Sequence, residues 1–345
     1  MKTSQSVLYG DARSMMAGMS SSSADLVVTS PPYPMIEMWD ETFSQKSRGI
    51  GGRVKSGDGD GAFELMHEEL DPVWGEAYRL LRPGGIACIN IGDATRRIGG
   101  SFRVFPNHAR VLTSCVGLGF EALPEIIWRK QSNKPTKFMG SGMLPGAAYV
   151  TQEHEYVLVL RKGPRPLDTP SQRLTRRRSA FFWEERNLWF SDVWEGLQGD
   201  RQRLGLNGAR GRSAAFPFEL GYRLISMFSV QNGLVLDPFL GTGTTMVAAM
   251  AAGRDSVGIE LDPRLRELVD ERVMGSVDVS NAFNERRISD HRAFVARMRK
   301  EGRELRYVNK RYGFPVMTGQ ETLIRIPILK RVDRRGDGRF EVRYR

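Results

Sequence analysis

Two stretches of this 345-residue chain have the residue types and spacing of a chemical site: Thr29-Ser30-Pro31-Pro32-Tyr33, and Asp237-Pro238-Phe239-Leu240-Gly241-Thr242-Gly243-Thr244-Thr245. The second ends the apolar run Leu234-Val235-Leu236 and opens into Met246-Val247-Ala248-Ala249-Met250, so it sits on a strand-to-helix turn. Its glycines let backbone amides approach a ligand at a helix N-terminus. A second short strand, Ser256-Val257-Gly258-Ile259-Glu260, ends in a carboxylate. It lies about twenty residues downstream, the spacing at which an acidic residue holds ribose hydroxyls in a βαβ unit. A nucleoside-bearing cofactor is expected. The first stretch closes the strand Asp25-Leu26-Val27-Val28-Thr29. Its prolines predict a rigid turn with an exposed aromatic at the C-terminal edge of a sheet.

Taken alone, a Gly-x-Gly turn is more readily an ordinary tight turn than a nucleotide site, and a proline pair can merely end a strand. The elements around them decide. A strand Val7-Leu8-Tyr9 precedes Gly10-Asp11, a helix follows over 12–19, and then comes the strand 25–29. Residues 44–61, rich in glycine and charge, predict a mobile loop after the proline turn. A helix over 63–81 leads through Leu81-Arg82-Pro83-Gly84-Gly85 to the strand 86–91, and a helix near 104–116 leads to the strand 126–128. The strand 156–160 is expected to pair antiparallel beside 126–128 at the edge of a mostly parallel sheet. Phe216-Pro217-Phe218-Glu219-Leu220 opens a helix before the strand at 234.

Ser30-Pro31-Pro32-Tyr33 resembles the (Ser/Asp/Asn)-Pro-Pro-(Tyr/Phe/Trp) motif of the amino-group DNA methyltransferases, and Asp237 to Gly243 resembles their cofactor motif. Catalytic before cofactor is the order of that family's β group, and the resemblance covers roughly residues 6 to 272. It implies an α/β fold: a doubly wound, mostly parallel, seven-stranded Rossmann-like sheet with an inserted target-recognition region and a basic C-terminal extension. The divisions expected are 1–161 for the catalytic half, 162–212 for target recognition, 213–275 for the cofactor half and 276–345 for the extension.

The implied cofactor is S-adenosylmethionine. The resemblance places its methionine moiety near Asp237, Pro238, Phe239, Gly241 and Gly243, with Thr244 and Thr245 at the helix start. Glu260 is the ribose candidate, Asp11 resembles the acidic residue near the adenine, and Phe216-Pro217 resembles the segment packing on the methionine end. Glu260, followed by Asp262-Pro263, also fits a helix cap. An aromatic amine is a poor nucleophile because its lone pair is delocalised, and an acceptor pulling on an amino hydrogen favours the nucleophilic form. The resemblance gives that task to Ser30 and the Pro31 carbonyl, and stacking on a flipped-out base to Tyr33. His154-Glu155 matches a position near the target base, or a structural histidine at a strand start. His67, His108 and His291 show no ligand spacing.

Serine at the motif head is commoner in the cytosine-N4 enzymes and aspartate in the adenine-N6 enzymes, so cytosine N4 is the expected target and adenine N6 the alternative. RNA enzymes carry similar motifs on this fold. A non-catalytic DNA-binding protein would be expected to have a damaged cofactor turn, whereas Asp237, Gly241, Gly243 and Glu260 are all present.

The formal net charge of +11 suits a polyanion, here duplex DNA, or a basic solubility surface. Residues 162–212 hold Arg173, Arg176, Arg177 and Arg178 as candidate phosphate contacts, among Phe181-Phe182-Trp183, Trp189-Phe190 and Trp194, which read as a small core more than as stacking platforms. The tail 276–345 ends in an expected hairpin over 322–342, either a DNA clamp or a dimer element. A cognate restriction endonuclease and a homodimer are possible partners. Two cysteines, Cys88 and Cys115, both in apolar stretches, argue against a disulfide framework or a zinc site, and no cysteine adjoins the proline motif to form a thiolate adduct. No run is long and apolar enough for a bilayer and no N-terminal signal segment is seen, so a cytoplasmic, nucleoid-associated prokaryotic protein is expected.

Overall fold

The computed structural model describes residues 1–130, 139–197 and 216–345. The chain opens with β1 (Lys2–Tyr9), α1 (Ala12–Ala17) and β2 (Ala24–Thr29). β1 starts well before its apolar end because two buried polar side chains are satisfied there: Thr3 lies 2.9 Å from the Tyr344 hydroxyl and Gln5 donates to the Arg254 carbonyl at 3.0 Å.

The expected mobile loop is instead helical: α2 (Asp40–Lys46), α3 (Arg48–Ser56) and the start of α4 (Gly59–Leu80). Phe43 and Ile50 are buried in the main core, and they outweigh the poor helix propensity of the glycines around them. Those glycines permit close approach. A Cβ at Gly59 would sit 2.7 Å from Ile98 Cγ2, and Gly57, at φ +82°, ends α3 in the left-handed region.

β3 (Leu81–Ile91) follows, then a hairpin of β4 (Ala94–Ile98) and β5 (Ser101–Phe105) that takes up the start of the helix expected near 104. That helix is α5 (Asn107–Gly117). β6 (Glu121–Ala122), β7 (Ile126–Arg129), β8 (Met139–Gly140), β9 (Ala148–Tyr149) and β10 (His154–Arg161) precede α6 (Pro170–Arg178), α7 (Trp183–Trp189) and β11 (Val193–Trp194). Then come α8 (Phe218–Phe228), β12 (Leu234–Asp237), α9 (Thr244–Ala252), β13 (Asp255–Glu260), α10 (Arg266–Met274) and α11 (Ser276–Lys300). β14 (Tyr307–Val308), β15 (Pro315–Val316), β16 (Leu329–Gly336) and β17 (Arg339–Tyr344) close the chain.

Among the described residues the main sheet has eleven strands, in the order β11-β7-β10-β3-β2-β12-β13-β1-β17-β16 with β6 on β10. The stretch from β7 to β1 is the expected seven-stranded core, in which β10 alone is reversed. β10 does pair antiparallel with β7, but it is an interior strand rather than the edge, and its run Val157–Leu160 is buried throughout. The C-terminal hairpin starts at Leu329, later than expected, and β17 joins β1 antiparallel, so the extension lengthens the same sheet. Its Leu329, Phe340 and Val342 pack with Met246, Met250, Val269 and Val273 of α9 and α10. Of the aromatic region expected to form a small core, Phe182, Trp189 and Trp194 are buried, whereas Trp183 and Phe190 are exposed.

Parallel pairing puts the ends of β1, β2, β12, β13 and β3 on one edge of the sheet. β7 also ends there, and the reversed β10 begins there.

Candidate active site

Where β12 ends, Asp237 is buried and accepts from the Thr29 hydroxyl at 2.6 Å and the Phe239 amide at 3.0 Å. Burial raises its carboxyl to about 6 despite these donors and that of Thr245. The turn that follows needs glycine twice: Gly241 has φ +56° and Gly243, the residue capping α9, has φ +87°. Glu260, at the end of β13, clamps this turn by accepting the Gly241 amide at 2.8 Å on Oε2 and the Asp262 amide at 2.8 Å on Oε1. Burial is the main cause raising its carboxyl to about 7. Gly258 makes room for Leu240, since a Cβ there would lie 2.6 Å from both Leu240 methyl carbons.

Ser30 follows directly on Thr29, whose bond to Asp237 ties the two motifs together. The exposed aromatic expected at Tyr33 is not found. Its side chain is buried at 6% exposure, because its hydroxyl meets three partners inside: Ser30 Oγ at 2.9 Å, Glu155 Oε2 at 2.9 Å and Asn90 Nδ2 at 2.8 Å. Gly92 admits the ring, with a Cβ there only 3.1 Å from Tyr33 Cε2. Glu155 is ion-paired to Lys130 at its other oxygen. His154 stands edge-on to Tyr156 at 4.9 Å between ring centres.

Both motifs open into one cavity of about 220 Å³. Of the residues singled out in the sequence, Asp11, Ser30, Pro31, Pro32, Phe216, Asp237, Pro238, Phe239, Gly241, Thr244, Thr245 and Glu260 line it. Tyr33, Pro217 and Gly243 stand outside the lining, the last two as the residues capping α8 and α9. The Asp11 carboxylate caps α1 and accepts from Lys46 at 2.6 Å. Burial pushes its pKa up, but the Lys46 ammonium and the Ser14 amide outweigh that and hold it below the usual carboxylate value. Sequence reasoning missed the wall made by Met38, Trp39, Thr42, Phe43 and Lys46, with Glu69 and Leu70 of α4. The apolar residues Phe43, just before the glycine-rich stretch, and Ile50 within it were the signal for it.

The four arginines of α6 lie elsewhere. β10 leaves the cavity edge and ends at the opposite one, where Lys162 bonds the backbone of Gly84 and Gly85. Beyond α6, Ser179 meets the Gln231 amide at 2.8 Å, just before β12 begins. Arg173 donates to the Asp168 carbonyl at 3.1 Å and Arg176 pairs with Asp168 at 3.2 Å. Arg177 donates to the Gly319 carbonyl at 2.9 Å and to Thr322 at 3.0 Å, and the Arg178 carbonyl accepts the Arg325 amide at 2.9 Å.

A strand-end serine and a glycine turn with its clamping carboxylate, opening into one cavity, fit group transfer from a nucleoside-bearing cofactor. Comparison with known proteins agrees, since the profile of the DNA methylase family matches residues 24–271. The chain belongs to the N6/N4 DNA methylase family. This methylase is 49% identical over 346 residues to the type II methyltransferase M.MthZI of Methanothermobacter thermautotrophicus, covering 100% of this chain and 96% of that one. It is 47% identical to the type II methyltransferase M.MjaI of Methanocaldococcus jannaschii, over 79% of this chain and 91% of the relative. Among solved structures it resembles TTHA0409 of Thermus thermophilus, crystallised with S-adenosyl-L-methionine, at 35% identity and a TM-score of 0.61 over 79% of this chain and 95% of that one. The PvuII DNA methyltransferase (cytosine-N4-specific), at 17% identity and a TM-score of 0.53 over 79% of this chain and 93% of that one, shares the fold.

Among the described residues the methylase has no group of three or more His, Cys, Asp or Glu able to hold a metal ion, and no helix long and apolar enough to cross a membrane. Both cysteines are buried and free.

Proposed function

We propose that this methylase transfers a methyl group from S-adenosylmethionine to the exocyclic N4 amine of a cytosine in a specific duplex DNA site. The observation that carries the reading is the Thr29–Asp237 bond of 2.6 Å, which fixes the serine turn and the cofactor turn on one cavity. The residues present fit the cofactor. Each Glu260 oxygen accepts one backbone amide and keeps a lone pair for a ribose hydroxyl, and Thr244 Oγ1, in the cavity wall, is buried without a partner. Asp11, with Lys46, stands at the adenine end, and Phe216 with Phe239 supplies apolar wall at the methionine end.

S-adenosylmethionine, when bound, supplies an electrophilic methyl on a sulfonium that departs as a neutral thioether. The protein's part is positioning and acceptance of hydrogen bonds. Ser30 Oγ and the Pro31 carbonyl accept hydrogen bonds from the amine of a base brought out of the duplex, which makes its nitrogen lone pair available to the methyl; the N–CH3 bond forms as the S–CH3 bond breaks, and the surplus amine proton passes to solvent. Serine at the motif head supports cytosine N4. Type II relatives support a cognate restriction endonuclease as a partner in the same system.

The test is to express the chain in a host without amino-methylation and sequence host DNA by a method that separates N4-methylcytosine from N6-methyladenine. One motif modified on cytosine is the expected result. Modification on adenine keeps the mechanism and overturns the base, while unmodified DNA overturns the DNA target.

A further inference from the structure

The polar groups behind Ser30 admit one hydrogen-bond arrangement. A phenol has one proton to give and lone pairs to receive. Glu155, ion-paired to Lys130, is a carboxylate and only accepts. Asn90 lies 2.6 Å from that carboxylate and 2.8 Å from the Tyr33 hydroxyl through the same atom, which must be its amino nitrogen because only a donor can face a carboxylate. Tyr33 therefore donates its one proton to Glu155 at 2.9 Å and receives from Asn90. In the remaining contact, 2.9 Å to Ser30 Oγ, Ser30 has to be the donor. Its hydroxyl proton is thereby committed to Tyr33, and the Oγ of this cavity-lining residue has only lone pairs left to offer.

We propose that Asn90 and Glu155 are positioning residues which, acting through Tyr33, hold Ser30 as an obligate hydrogen-bond acceptor toward the target base. The proposal rests on the reading of Ser30 as the amine's acceptor and adds what makes a serine fit for it. A free serine hydroxyl can rotate to donate, and would then receive a carbonyl oxygen as readily as an amine. With its proton fixed on Tyr33, it takes an amine and rejects a carbonyl at the same ring position. An aspartate at the motif head would have no proton to misplace, so the network answers a need that the serine of this chain brings. Buried polar networks of this kind are strongly coupled, which makes the coupling measurable.

The experiment is a double-mutant cycle on the full chain with Ser30→Ala, Tyr33→Phe and the pair, read as single-turnover methyl transfer to duplex DNA alongside the affinities for S-adenosylmethionine and DNA. Tyr33→Phe keeps the ring and is expected to lower the transfer rate by about tenfold or more in the parent, with both affinities unchanged, and by less than about twofold on the Ser30→Ala background. Glu155→Gln, a second variant should Tyr33→Phe fail to fold, is expected to show the same loss of effect without Ser30. Additive losses, or a parental rate in Tyr33→Phe, overturn the proposal while leaving Ser30 as acceptor. A parental rate in Ser30→Ala removes the underlying reading and the proposal with it.

Discussion

Glu260 accepts the Gly241 amide at 2.8 Å, so the carboxylate that ends β13 also shapes the glycine turn that ends β12. One side chain thus shapes the turn and lines the cavity beside it. Burial holds Glu260 at about 7 against an ordinary 4.5.

That shift gives a pH dependence of defined sign. Asp237 and Glu260 are raised to about 6 and about 7, so the folded chain binds protons more tightly than the unfolded one. The stability this confers is full below about pH 4 and is lost as pH rises toward about 7. In the proposed ribose role of Glu260, hydroxyls donating to it would favour its ionised form, so S-adenosylmethionine affinity should change the other way, rising as pH climbs through about 7. Binding calorimetry near about pH 6.5 in two buffers of different ionisation enthalpy should detect proton release, and Glu260→Gln should abolish it. Equal apparent enthalpies in the two buffers would contradict the assignment.

Gly258 is the neighbour on which the turn leans. A Cβ there would overlap both Leu240 methyls at 2.6 Å, and Leu240 is buried between the sheet and the cavity. Gly258→Ala should destabilise by about 1–3 kcal/mol through overpacking and should weaken cofactor binding as the turn shifts. Denaturant unfolding and cofactor titration check the two effects separately.

The motifs at Ser30 and Asp237 were legible because their signals are local: an apolar strand, a proline or glycine turn, a helix start. The partners of Tyr33 were not. Asn90 and Glu155 meet only because β10 is inserted antiparallel next to β3, pairing Tyr156 with Ile91, and no local pattern sets that register. The helices over 44–61 were hidden for a different reason: glycine and charge suggested a loop, whereas burial of Phe43 and Ile50 decides the helices. The C-terminal hairpin was legible as a hairpin, but its pairing with β1, Lys2 opposite Arg343, joins the two ends of the chain.

That pairing makes the extension part of the fold's stability. Phe340 is fully buried beside Val7 and Met250. Phe340→Ala should cost about 3–5 kcal/mol. Removing residues 329–345 should leave β1 as an open edge over an uncovered apolar surface and give an aggregating protein. Thermal unfolding of the point variant and solution size of the truncation check this; a monodisperse truncated chain with unchanged melting would make the hairpin an appendage.

The placement of the arginines leads to a last expectation, about where DNA lies. If Ser30 takes the target base as proposed, the duplex must approach the edge where β2 and β3 end. The β4–β5 hairpin and α3 stand at that edge, and they touch at their tips, where a Cβ at Gly57 would lie 2.9 Å from the Gly99 Cα. They carry Arg97 and Lys55, both exposed. Arg176 and Arg178 are exposed on α6 at the opposite edge, with Arg176 already paired to Asp168. Removing a side chain that binds a phosphate reduces the salt slope of binding by about one and weakens affinity on any sequence. Reversing Arg97 and Lys55 to Glu should therefore lower DNA affinity by about tenfold or more and flatten its salt dependence, while the same reversal of Arg176 and Arg178 should change affinity by less than about threefold. Filter binding across a salt series, with cofactor affinity as the control for folding, separates the two pairs; a larger loss from the α6 pair would return the DNA to the face that the arginine run suggests.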